Sequence, residues 1–108
     1  MIYTIEEIQQ IVVPIAKKHN IKAMFIFGSY ARGTATENSD IDLIIDTEGT
    51  DIDSLFKLGS LYEEFAEALN KKVDIVTVSS LEQPIIRQSE KIFRETVLKE
   101  RMKLYAAA

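Results

Sequence analysis

Apolar residues recur along the chain with two periods. Ile5, Ile8, Val12, Ile15 and Ala16 keep the spacing of one helical face. Thr4-Ile5-Glu6-Glu7 supplies a capping box ahead of them, with Thr4 as N-cap and Glu7 at the third helical position. This pattern predicts an amphipathic helix to about His19, kinked or loosened at Pro14 and stopped at Asn20. Leu55, Leu58, Leu61, Tyr62, Phe65 and Leu69 repeat the spacing and predict a second helix from about Asp53 to Leu69. Three apolar runs read instead as strands: Lys22 to Phe27, Asp40 to Asp46, and the β-branched Val73 to Val78. Further on, Ser80 is placed to cap a helix beginning near Leu81, with Pro84 in its first turn. Weaker helical patterns cover 85–88 and 91–98, and Met102 to Tyr105 reads as a short edge strand.

The polar positions add a puzzle to this scaffold. Aspartate is depleted in strands, yet Asp40 and Asp42 stand at the start of an apolar run, Ile41 to Ile45. Alternation puts them on one face with Cα atoms roughly 6.6 Å apart, close enough for their carboxylates to hold hard divalent cations together. A polar turn over Glu37 to Asp40 would account for Asp40 but not for Asp42. Upstream, Gly28 lets backbone approach a ligand closely. Ser29 is a candidate N-cap for a short turn through Arg32 that Gly33 would end. The free N–H groups of such a turn make a seat for phosphate. Arg32 either neutralises phosphate charge there or pairs with one of the chain's many carboxylates. Asp74, between Val73 and Ile75, is costly to bury uncompensated. It is either a strand-end residue facing solvent or a third carboxylate beside Asp40 and Asp42. No Gly-x-Gly-x-x-Gly or Gly-Lys-Ser/Thr fingerprint competes with this reading. His19, the single histidine, sits near a helix end, where a structural role is expected, and Lys71-Lys72 reads as a solvated turn.

Composition narrows the setting. At 108 residues one domain, 1–108, is expected, without room for a second substrate domain. The 46% apolar and 28% charged content fits a globular chain, and the absence of cysteine removes disulfides and thiolate metal sites. No apolar stretch approaches the roughly 20 residues that span a membrane, and the N-terminus lacks the basic start of a signal peptide, so a cytoplasmic location is expected. A formal net charge of −4 and a pI near 5.0 argue against binding of a long nucleic acid.

Gly28-Ser29 followed by ten residues and Asp40-x-Asp42, with Ala31-Arg32-Gly33, Ala35 and Ser39-Asp40-Ile41-Asp42-Leu43, resembles the signature of the polymerase-β-type nucleotidyltransferase superfamily. The fuller string resembles its minimal nucleotidyltransferase branch, which includes the antitoxins of HEPN–MNT toxin–antitoxin modules. The resemblance is strongest over Ala23 to Asp46 and fades beyond Leu81. It implies an α/β fold, a small mixed β-sheet with helices packed on one face. Asp40, Asp42 and Asp74 would be catalytic residues and metal ligands for Mg²⁺, with two ions, and Gly28, Ser29 and Arg32 would bind the nucleotide, ATP. AMP would pass to a hydroxyl, a tyrosine by the resemblance, of a partner HEPN ribonuclease toxin in a hetero-oligomer. The alternative is a non-catalytic module that neutralises its partner by occlusion. Alternation also puts Ile44 and Val76 on the carboxylate face, with Leu43, Ile45, Val73 and Ile75 facing the helices. The carboxylate face is expected to be uncovered and to serve as a docking surface, with Ile44→Glu as its probe.

Overall fold

The computed structural model describes residues 2–107. Its elements are α1 (Ile5–Lys18), β1 (Ala23–Phe27), α2 (Gly28–Arg32), β2 (Ile41–Asp46), α3 (Leu55–Leu69), β3 (Val73–Thr77), α4 (Val78–Leu81), α5 (Gln88–Glu100) and β4 (Met102–Ala106). The strands form one mixed sheet in the order β3-β2-β1-β4. Strand β1 runs antiparallel to β2 and to β4, while β2 and β3 are parallel. No helix among the described residues is long and apolar enough to cross a membrane.

The two periodic helices form as the pattern predicts and cover one face of the sheet. The capping box of α1 is complete: the Glu7 N–H donates to the Thr4 hydroxyl and the Thr4 N–H to the Glu7 carboxylate. The helix runs through Pro14 to Lys18, close to the end expected near His19. Proline removes one N–H from the ladder, and burial of Ile8, Val12, Ile15 and Ala16 around it offsets that loss. Leu61, Phe65 and Leu69 of α3 are buried with them against Met24, Ile26, Leu43, Ile45 and Val73. Asn20 and Asn70 adopt left-handed conformations, φ 57° and 51°, where these two helices end. Glu64 of α3 accepts from Lys18 Nζ at 2.8 Å and pairs with His19 Nε2 at 2.7 Å, so the histidine ties two helices together. Those two hydrogen bonds hold the Glu64 carboxyl below its usual range, the lysine contributing most.

The other face departs from expectation. It is covered, because one helix, α5 (Gln88–Glu100), lies across it; 85–87, read as helical from the sequence, lie outside the helix, with Arg87 as its N-cap. Val97 is buried there with Phe27 and Ile44, and Phe25 and Val76 pack at the margin. The Phe93 ring meets Phe27 edge-on at 6.1 Å, and the Arg101 guanidinium sits 4.4 Å above Phe25. Ile44 has no exposed surface, so Ile44→Glu would bury a charge rather than probe a docking face. The signal was faint because α5 buries only Val97 fully, leaving Ile92, Phe93 and Leu98 about half exposed. Helix α4 also begins earlier than expected: Thr77, not Ser80, is its N-cap, and the Ser80 N–H donates to the Thr77 hydroxyl. Pro84 therefore lies beyond that helix, not in its first turn.

Strand β4 closes one edge of the sheet, as the edge strand expected at Met102 to Tyr105. A bulge opposite Met24 and Phe25 inserts Leu104, which turns into the α1 face and is buried. The Gln9 side-chain amide donates to the Leu104 carbonyl at 3.1 Å and fastens the bulge to α1.

Tyr30 of α2 packs into the main core, and its hydroxyl is buried with no hydrogen-bond partner among the described residues. A buried hydroxyl without a partner costs about 1–3 kcal/mol. Tyr30→Phe is therefore expected to raise stability by about 1 kcal/mol in chemical denaturation; a loss of stability would show that the hydroxyl is satisfied.

Candidate active site

The site is built where β1 ends and β2 and β3 begin. Phe27 is extended, and Gly28 then takes φ +74°, turning the chain into α2. A side chain at Gly28 is excluded twice over. The left-handed φ disfavours it, and an added Cβ would lie 2.2 Å from Asp42 Oδ2. The glycine is what lets β2's carboxylate lie directly against the turn. Because the chain turns at Gly28, the cap position of α2 falls on Phe27, and no side chain caps it. Ser29 is thus inside the turn and not its N-cap, contrary to the expectation from sequence. Gly33 ends the turn as expected, at φ 76°.

The loop that follows is held from several sides. The Thr34 N–H donates to the Ser29 carbonyl at 2.9 Å, and the Thr36 N–H to the Ser39 hydroxyl at 2.8 Å. Lys71 Nζ reaches across to the Glu37 carbonyl at 2.8 Å. Lys71 is therefore a tether for the loop and not simply a solvated turn residue.

Register then gathers the acids. In the parallel β2–β3 pair, Asp42 lies opposite Asp74, and in the antiparallel pair it lies opposite Phe27. Asp40, two residues before Asp42, faces the same way, and its Oδ2 lies 3.7 Å from Lys72 Nζ. Asp74 is thus a neighbour of Asp42 rather than a strand-end residue turned to solvent. Among the described residues no three acidic or imidazole side chains form a ready-made metal cage. Asp42 and Asp74 are paired, while Asp40 is drawn toward its lysine.

The pairing has an electrostatic cost. The Asp42 carboxyl is raised from 3.8 to about 6, first by burial, then by the charges of Asp74 and Asp40 and a hydrogen bond with Asp74. Arg32 partly opposes this. Like charges held this close ionise together only when a cation offsets them. That is the observation by which the residues fit a divalent metal.

Two residues outside the sequence motif complete the site. Glu100, from the last turn of α5, accepts the Gly28 N–H at 2.9 Å and Arg32 Nη1 at 3.1 and 3.2 Å. Of the two readings open for Arg32, the structure contains the carboxylate pair. Tyr62 of α3 donates to Asp74 Oδ1 at 3.2 Å. Sequence reasoning missed both. Tyr62 was absorbed into a helical stripe, and Glu100 lies in the segment whose pattern was weakest.

Two outcomes follow from this geometry. Gly28→Ala is expected to displace the Asp42 carboxylate and destabilise the fold by about 1–3 kcal/mol; an unchanged Tm would contradict the close approach. The raised Asp42 carboxyl also gives stability a pH dependence. Between the ordinary value of 3.8 and about 6 the unfolded chain has released this proton while the folded chain keeps it, so stability falls as pH rises through that window. With chelator present, wild type should lose on the order of 1–2 kcal/mol relative to Asp42→Asn between about pH 4 and about pH 7, allowing for solvent screening. Parallel denaturation curves would contradict the coupling.

Comparison with known proteins agrees with this arrangement. The family model described as polymerase beta, nucleotidyltransferase matches residues 7–104. The chain is 36% identical over 98 residues to the protein adenylyltransferase MntA of Thermococcus cleftensis, covering 87% of this chain and 94% of that protein. It is 40% identical over 94 residues to a Methanocaldococcus jannaschii protein provisionally named a protein adenylyltransferase, covering 86% of this chain and 95% of the relative. Its fold is similar to a chain in the structure of a tri-AMPylated Shewanella oneidensis HEPN toxin in complex with MNT antitoxin. There the TM-score is 0.66 at 17% identity, over 95% of this chain and 73% of that one. The four-stranded mixed sheet, the glycine turn packed on Asp42 and the match over residues 7–104 lead to one conclusion: the chain belongs to the polymerase beta nucleotidyltransferase family.

Proposed function

We propose that this chain is a metal-dependent protein adenylyltransferase that moves AMP from ATP to a hydroxyl of a partner HEPN toxin, and so acts as an antitoxin. The observation that carries the reading is the Asp42–Asp74 pair pressed against the Gly28 turn. The relatives supply the substrate class: the Thermococcus cleftensis relative is a protein adenylyltransferase, and the Shewanella structure is that of an AMPylated HEPN toxin with its antitoxin. A single domain, 1–108, acting in the cytoplasm as one part of a hetero-oligomer is part of the same proposal.

The roles follow from position. Asp40, Asp42 and Asp74 are the residues that would hold Mg²⁺, as two ions, with Asp40 exchanging its contact to Lys72 for the metal. When bound, the metal neutralises phosphate charge and lowers the barrier to attack at phosphorus. Gly28, Ser29 and Arg32 bind the outer phosphates. The Gly28 N–H and Arg32 already hold an anion, the Glu100 carboxylate, and the triphosphate exchanges with it. Asp74 accepts the proton of the acceptor hydroxyl, a tyrosine by analogy with the family. The hydroxyl oxygen forms a bond to the α-phosphorus, the bond from that phosphorus to the bridging oxygen breaks, and pyrophosphate leaves. Positioning and electrostatics carry the rate, with no covalent intermediate on the chain.

One observation favours the second reading, neutralisation by occlusion: both anion-binding groups of the turn are engaged by Glu100. The two readings separate on Asp42→Asn. The purified chain, its toxin partner, Mg²⁺ and ATP are incubated, and the toxin is weighed by intact-mass spectrometry. Wild type is expected to add whole AMP units, and Asp42→Asn to add none while still binding the toxin. Toxin neutralised equally by the mutant, without added mass, would establish occlusion instead.

A further inference from the structure

Tyr62 belongs to the helical layer on one face of the sheet, yet its hydroxyl ends on an acid assigned to the other. Strand β3 is the edge of the sheet, which lets α3 reach around it. The Tyr62 oxygen accepts the Ile75 backbone N–H at 2.9 Å. Its own proton goes to Asp74 Oδ1 at 3.2 Å. A phenol carries a single proton. With its oxygen engaged by the N–H of Ile75, that proton is committed to the carboxylate, so the hydrogen bond has one direction. It is anchored to the backbone of the residue next to Asp74.

We propose that Tyr62 is a positioning residue for the transfer reaction: it fixes one carboxylate oxygen of Asp74 and leaves the other to meet Asp42 and the acceptor hydroxyl. The inference rests on the role given to Asp74 above. A carboxylate on an edge strand has rotational freedom that the inner strand β2 denies to Asp42, which is wedged against Gly28. Tyr62 removes that freedom. Asp74 serves the acceptor and not the outer phosphates, so the effect of losing the hydrogen bond falls on turnover. Partners that orient a metal-binding carboxylate typically change activity or metal affinity by about 10–100-fold when removed.

Tyr62→Phe keeps the ring and deletes only the hydroxyl. Tyr3→Phe is the matched control. Its hydroxyl also bridges to α3, donating to the Leu69 carbonyl at 2.6 Å and not to Asp74. Steady-state adenylylation is measured for both, together with Asp74→Asn, and Mn²⁺ affinity is followed by electron paramagnetic resonance. Tyr62→Phe is expected to lower kcat by about 10–100-fold with the KM for ATP within about twofold, and to weaken Mn²⁺ binding. Tyr3→Phe should lower Tm without changing kcat, and Asp74→Asn should be inactive. An inactive Asp74→Asn beside a Tyr62→Phe of wild-type kcat would overturn the positioning role alone. An active Asp74→Asn would overturn the role of Asp74 and the inference with it. Equal losses of kcat in the two tyrosine variants would reduce Tyr62 to a stabilising contact.

Discussion

Parallel pairing of β2 with β3 forces two carboxylates together, and much of the molecule deals with that constraint. Asp42 and Asp74 lie opposite one another in register, each flanked within its strand by apolar residues. The charge between them is relieved from three directions. Asp42 shifts its proton affinity upward to about 6, Arg32 stands near enough to oppose the shift, and Tyr62 donates to Asp74. None of these removes the cost of ionising both acids, which a divalent cation would do. A fold that keeps such a pair where an apolar pair would pack more cheaply is organised for binding rather than stability.

Burial on both sides of the sheet makes the pair rigid. The α1–α3 layer holds β2 through Leu43 and Ile45. From the opposite face α5 holds it through Ile44, and its last turn carries Glu100 into the turn that follows β1. Helix α5 therefore does two things at once. It roofs the apolar half of the carboxylate face, and it delivers an anion to the Gly28 N–H and to Arg32. Under the proposed function, a nucleotide seated at that turn would compete with Glu100 and so be linked to the placement of α5 through one carboxylate.

Much of this was legible in the sequence because local rules and packing agree. The capping box of Thr4 and Glu7, the stripe from Leu55 to Leu69 and the three strands all form close to where the periodicity puts them. The glycine turn and Asp40-x-Asp42 were legible because aspartate in a strand and glycine at a strand end each demand a reason. Long-range placement was not legible. Nothing in the weak pattern of 85–98 says that Val97 reaches Ile44 or that Glu100 reaches Gly28. Tyr62 occupies a helical position that burial alone explains, so its bond to Asp74 emerges only when β3 is known to be the edge strand.

The most direct test of the account is the titration of the Asp42 carboxyl carbon by nuclear magnetic resonance, with and without Mg²⁺. Without the ion an apparent pKa near 6 is expected for Asp42. With Mg²⁺ present the Asp42 value should fall into or below the ordinary carboxylate range, because the cation favours the charged form. An ordinary value in both conditions, unmoved by Mg²⁺, would contradict the claim that these two acids form the centre of a metal-dependent site.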